Sequence, residues 1–126
     1  MKVVTAGVWV RDNEKVFLVR RGPGESLAGH WEFPGGKVEL GESDEECLAR
    51  ELKEELAIDV TVGKLLEESH YIYEHGEFLI RAYAVCCNSL EYSLSVHDLA
   101  EWVGFAELLN YRLAPADIPI AEKLAE

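Results

Sequence analysis

The chain has 126 residues, 48% of them hydrophobic and 29% charged, enough for one compact core and little more. That balance excludes a disordered chain, and no stretch approaches the roughly 20 apolar residues of a membrane span. Asp and Glu number 24 against 12 Lys and Arg, a formal charge of −12. Such a field argues against nucleic-acid partners, which are bound by neutralising phosphates, but admits a small phosphorylated ligand when metal ions stand between the charges. Three cysteines occur, Cys47, Cys86 and Cys87. Neighbours on a strand point to opposite faces, so Cys86 and Cys87 make a poor disulfide, and no spacing suits zinc. Reduced thiols and the lack of a signal-peptide layout at Met1–Val8 predict a cytoplasmic protein without membrane contact.

In chain order, Val3–Arg11 and Val16–Val19 flank the polar turn Asp12-Asn13-Glu14 and predict a β-hairpin. A glycine-rich loop (22–29) follows, then a short strand Trp31–Phe33 stopped by Pro34-Gly35-Gly36, then an extended piece Lys37–Glu39. Ser43 with Glu46 three residues on is a capping-box pattern. Asp44, Glu45 and Glu46 match the positive end of a helix dipole, and Leu48, Ala49, Leu52 and Leu56 recur at helical spacing. Val60–Val62, Leu65–Tyr73, Phe78–Cys87 and Glu101–Phe105 read as strands, with a turn at His75-Gly76. Ala106–Leu109 reads as a helical turn and Ile120–Ala125 as a terminal helix. The expectation is an α/β (α+β) sandwich on a mixed sheet, one domain over residues 1–126, with the acidic helix on one side and a C-terminal helix.

Between Glu39 and Glu55 lie eight of the 24 acidic residues. Glu51, Glu54 and Glu55 stand at i, i+3 and i+4, within about 100° on a helix, where like charges repel. The helical wheel sends Arg50 and Lys53 elsewhere and leaves that repulsion standing. A solvated acidic face explains such a cluster, and so does a site for a hard divalent cation, which prefers carboxylate oxygens, water and substrate phosphates.

The same segment reads Gly36, five residues, Glu42, seven residues, Arg50-Glu51-Leu52-Lys53-Glu54-Glu55-Leu56-Ala57-Ile58. It resembles the Nudix box, G-x5-E-x7-R-E-U-x-E-E-x-G-U, and departs from it only at Ala57, where the family has glycine. Trp31–Lys37 is similar to the lead-in of MutT-type members, and Leu113–Pro119 to the tail of relatives that cleave cytidine and oxidised nucleotides. The resemblance implies a Nudix-like α/β/α sandwich and an Mg²⁺-dependent hydrolase, Mn²⁺ being able to substitute. Its substrate would be a nucleoside triphosphate cut to monophosphate and pyrophosphate, in nucleotide-pool sanitation.

Residue by residue, the resemblance puts the Gly36 carbonyl, Glu51, Glu54 and Glu55 around the metal. It makes Glu51 a candidate to orient or deprotonate water, has Arg50 fix a glutamate, and gives Glu42 a supporting place. Glu101 either reaches the metals and the water or is simply exposed. Arg21 either contacts a substrate phosphate or is a surface residue. Asp117 either reads the base or caps the last helix. Phe78, Tyr83 and Trp31 read as core, with Phe78 a candidate to stack on the base. The four histidines show no ligand spacing and take no role. The implied partner is a small-molecule nucleotide, and the chain is expected as a monomer or weak homodimer. Two alternatives stay open: another nucleoside diphosphate-linked substrate such as ADP-ribose or a dinucleotide, and a non-catalytic nucleotide-binding module.

Overall fold

A computed structural model describes residues 1–89 and 91–126. Among them run seven strands: β1 (Lys2–Arg11), β2 (Lys15–Arg21), β3 (Trp31–Glu32), β4 (Gly35–Lys37), β5 (Thr61–Tyr73), β6 (Gly76–Cys86) and β7 (His97–Gly104). Two α-helices, α1 (Asp44–Leu56) and α2 (Ile118–Ala125), complete the frame, with 3₁₀ turns at Phe105–Asn110 and Pro115–Asp117. The strands form one mixed sheet in the order β3-β2-β1-β6-β5, β4 pairing with β1 and β7 with β2. β1 runs parallel to β6 from Lys2↔Phe78 to Trp9↔Val85; the other pairings are antiparallel.

Alternation along the strands decides the layers. Val8, Val16, Leu18, Ala82 and Val103 face α2 through Ile120 and Ala121. Trp9, Phe17, Val19 and Val85 face α1 through Leu48, Leu52 and Leu56. Period-2 strands between two amphipathic helices give the expected three-layer sandwich.

Helix α1 has the predicted start. Ser43 accepts from the Glu46 amide and the Glu46 side chain accepts from the Ser43 amide. Its end is equally local: Ala57 takes the left-handed conformation (φ 58°, ψ 34°) and its N–H reaches the Lys53 carbonyl. Alanine there carries about 1 kcal/mol of backbone strain that glycine would not.

The strand boundaries differ from expectation in three places. The piece after Pro34 pairs as Gly35–Lys37, not Lys37–Glu39, because Gly35 must lie on β1: a Cβ on it would sit 1.9 Å from the Thr5 carbonyl oxygen. The two runs around Gly63-Lys64 are one strand, its register shifts between Val62 and Leu65 and between Leu65 and Glu67 absorbing the break in alternation. β7 begins at His97, four residues early, where Asp98 is held to Arg20 of β2 by two hydrogen bonds of 2.9 and 2.8 Å.

What this builds for the site is a gap. β1 and β2 pair only near their turn, at Val10↔Val16 and Arg11↔Lys15, and then diverge. The Trp31–Lys37 segment fills the divergence, paired to β2 on one side and β1 on the other. The Gly7 N–H to Pro34 carbonyl bond (2.7 Å) fastens its middle.

Candidate active site

A cleft of about 680 Å³ opens at that gap, within the range of small-molecule sites. Its lining joins an α1 end, with Gly36, Glu51 and Glu55, to an α2 end, with Tyr73, Phe78 and Asp117.

At the first end, Gly35 and Gly36 bring backbone against α1, and a Cβ on Gly36 would fall 2.2 Å from Glu51 Oε2. The repulsion among the glutamates is not left standing. Contrary to the helical-wheel expectation, Arg50 turns back and serves as their counterion. Its Nη1 donates to Glu51 Oε1 and Glu54 Oε1, each at 2.8 Å. Its Nε and Nη2 take both oxygens of Glu42 at 2.6 and 3.0 Å. These hydrogen bonds and that of the Glu39 amide hold the Glu42 carboxyl down at about 2. Glu42 thus braces Arg50, which fixes Glu51 as expected.

Glu55 has no such partner. Its Oε1 is buried and unpartnered among the described residues. Burial first, then the charges of Glu51 and Glu32, push its carboxyl up to about 8. Among the described residues no three Asp, Glu, His or Cys side chains converge on one point, since Glu54 is turned outward to Arg50 and does not line the cleft. The donor set nonetheless suits a hard divalent cation: an orphaned buried carboxylate oxygen crowded by a second carboxylate is stabilised when a cation supplies the missing partner.

At the second end, Asp117 is 6% exposed. It stands at the N-cap of α2 but makes no side-chain cap hydrogen bond, so capping is not what it does there. Burial, then the neighbouring charge of Glu32, raises its carboxyl well above the ordinary range. Tyr73 accepts from the Ala116 amide at 2.9 Å and packs edge-on against Phe78, with His75 stacked on Tyr73. The ammonium of Lys2 sits 5.5 Å from the Phe78 ring centre. Phe78 therefore lines the cleft as a half-buried aromatic wall.

Two expected site residues are engaged by neighbouring groups. Glu101 does not line the cleft. It pairs with Leu18 on the α2 side of the sheet and accepts a hydrogen bond from the Tyr111 hydroxyl. α1 packs on the opposite face, and strand alternation forbids a residue in register with Leu18 from turning there. Arg21 does line the cleft, but its guanidinium is committed to the Glu32 carboxylate (3.0 and 3.1 Å) and to the Ser26 carbonyl and hydroxyl. Two side chains that the sequence reading left without a role, Glu32 and His97, line the cleft with it.

The chain belongs to the NUDIX domain family, whose profile matches residues 1–124. Enzymes of this family use divalent metal ions. Among its relatives, a protein of Escherichia coli (strain K12) named CTP pyrophosphohydrolase is 40% identical over 121 residues, 94% of this chain and 87% of that one. A Mycobacterium tuberculosis (strain H37Rv) protein named putative 8-oxo-dGTP diphosphatase 2 is 40% identical over 119 residues, 92% of this chain and 82% of that one. The solution structure of the E. coli ORF135 protein superposes with a TM-score of 0.80 at 38% identity, over 98% and 87% of the two chains. A MutT NUDIX hydrolase from Burkholderia pseudomallei superposes at 0.85 with 27% identity, over 97% and 96%. No helix among the described residues is long and apolar enough to cross a membrane.

Proposed function

We propose that this chain, as a single-domain enzyme, hydrolyses a nucleoside triphosphate to the monophosphate and pyrophosphate, with the phosphates at the Glu51/Glu55 end of the cleft and the base at the Asp117 end. The names of the two relatives point to cytidine or oxidised-guanine nucleotides. The observation that carries the reading is the unpartnered, buried Glu55 carboxylate, which faces a polyphosphate only with a cation between them.

Glu51 and Glu55 would hold that cation (Mg²⁺, or Mn²⁺ in its place), with the Gly36 carbonyl beside them and Glu54 on release from Arg50. When bound, such an ion polarises phosphoryl oxygens and lowers the pKa of water. The chain's own part is positioning. Arg50 keeps Glu51 in one orientation by holding its Oε1 and leaving Oε2 toward the cleft. Phe78 and Tyr73 supply an aromatic wall for a base. Burial favours the acid form of Asp117, and in that form the group both donates and accepts, so it can meet the amino edge of cytosine or the N–H and carbonyl groups of a guanine. Arg21, held by Glu32 and Ser26, meets a phosphate only if those bonds are exchanged.

The test is release of pyrophosphate from a panel of nucleoside triphosphates, ADP-ribose and a dinucleoside polyphosphate, with and without Mg²⁺. Pyrophosphate and a monophosphate from triphosphates alone are expected. Preferential cleavage of ADP-ribose or the dinucleotide overturns the substrate assignment, and no turnover of any compound overturns the enzyme reading in favour of a binding module.

A further inference from the structure

His97 and Glu32 come from strands 65 positions apart, and the fold closes them onto one another. The His97 side chain is 3% exposed and its Nε2 lies 3.0 Å from Glu32 Oε2. A carboxylate only accepts, so Nε2 carries the hydrogen. Nδ1 is then enclosed with no partner among the described residues. An apolar side chain of similar volume would avoid that cost, so packing alone does not account for a histidine here.

Glu32 needs such support. β3 is two residues long, and its backbone gives little hold on the side chain. Glu32 is clasped instead from β2, by Arg21 Nη1 on both oxygens, and from β7, by His97. Held this way, the carboxylate lines the cleft near Asp117. Glu32 there offers a ligand a hydrogen-bond acceptor.

We propose that His97 is a positioning residue for base selection: it fixes Glu32 as a hydrogen-bond acceptor beside Asp117, so that the base end of the cleft selects a heterocycle with an exocyclic amino donor. This rests on the assignment of that end to the base, and its test is kept independent of turnover. The affinities of CMP, GMP and UMP are measured by calorimetric titration, in the presence of Mg²⁺, for the wild type, His97→Leu, His97→Gln and Glu32→Gln. A carboxylate acceptor favours the bases with an exocyclic amino group, so the ratio of the best amino-bearing base to UMP is expected to fall about tenfold in His97→Leu, one hydrogen bond's worth of discrimination. His97→Gln, whose amide reaches the Nε2 position, restores most of it, and Glu32→Gln reproduces the loss. Affinity for Mg²⁺ alone moves less than about twofold.

An unchanged ratio in folded His97→Leu overturns the proposal. So does a wild type that binds all three bases alike, or a glutamine variant that matches leucine. If His97→Leu does not fold, Glu32→Gln and His97→Gln decide: the first must lose the ratio and the second keep it. Failure of hydrolysis with intact base-selective binding removes the enzyme reading and leaves this one standing.

Discussion

Glu55 and Asp117 are both carboxylates taken out of water in one cleft, and both are held above the ordinary carboxyl range with burial as the first cause. Their surroundings differ. Glu55 shares a helix with Glu51 and Glu54, and the fixed cation there, Arg50, is spent on those two and on Glu42. To its burial is added excess negative charge, which a divalent ion relieves. Asp117 stands among Glu32, Phe33 and Tyr73 with aromatic surface around it, and its burden is dryness, which a proton or a ligand donor relieves. On the proposed function, one direction of shift serves two chemistries, and the neighbours, rather than the carboxyl group, decide which.

That contrast can be broken most sharply at the glutamate end. Glu55→Gln or Glu51→Gln is expected to lower kcat by at least about 10²-fold, since each removes charge where the ion is to bind. Gly36→Ala should be no better tolerated, because its Cβ meets Glu51 at 2.2 Å. Glu54→Gln should act in the same direction. Steady-state turnover at saturating Mg²⁺ checks all four, and near-wild-type turnover of Glu55→Gln would end the claim that this carboxylate holds the ion. At the other end, Asp117→Ala should change the kcat/KM ratio between bases by about tenfold while Mg²⁺ dependence stays put. An equal loss for every base would make Asp117 structural.

A smaller effect sharpens the likeness between the two carboxyls. In metal-free protein Glu55 retains, up to about 8, a proton that the unfolded chain has lost, and burial pushes Asp117 in the same direction. The folded state then binds more protons than the unfolded one, so stability falls as pH rises from about 4.5 toward 8. In EDTA, melting temperature should drop by a few degrees across that range. Glu55→Gln and Asp117→Asn should each flatten part of the slope. Mg²⁺ should restore stability at pH 8 in the wild type and in Asp117→Asn, but not in Glu55→Gln. A melting temperature indifferent to pH in EDTA would contradict the burial of both groups. The smallest change expected is at the end of α1: Ala57→Gly relieves a left-handed alanine and should add about 0.5–1 kcal/mol in chemical denaturation, with turnover unaffected.

The glutamate end was legible because its information is local. Ser43 and Glu46 fix the start of α1, apolar spacing fixes its buried face, and five residues then bring Glu51 and Glu55 to one flank. What the wheel misjudged was Arg50, whose long side chain reaches back over its own turn. The i,i+4 spacing to Glu54 already signalled that contact. Glu101 stayed open between the metals and solvent because an apolar strand does not announce which of its alternating faces meets which layer; its pairing with Leu18 puts it on the α2 face. Glu32 and His97 carry no such signal, one being a lone polar residue between Trp31 and Phe33 and the other lying between Val96 and Asp98.

From the sequence alone came the elements, the position of the acidic helix and the chemical character of its exposed flank, since capping, periodicity and residue type act over a few neighbouring residues. Only the tertiary structure decided that β1 and β2 part to leave a cleft, that Arg21 and His97 clasp Glu32, and that Asp117 is kept from water. Those outcomes depend on which strand faces meet and how closely they pack, and such contacts join residues with no spacing in common along the chain.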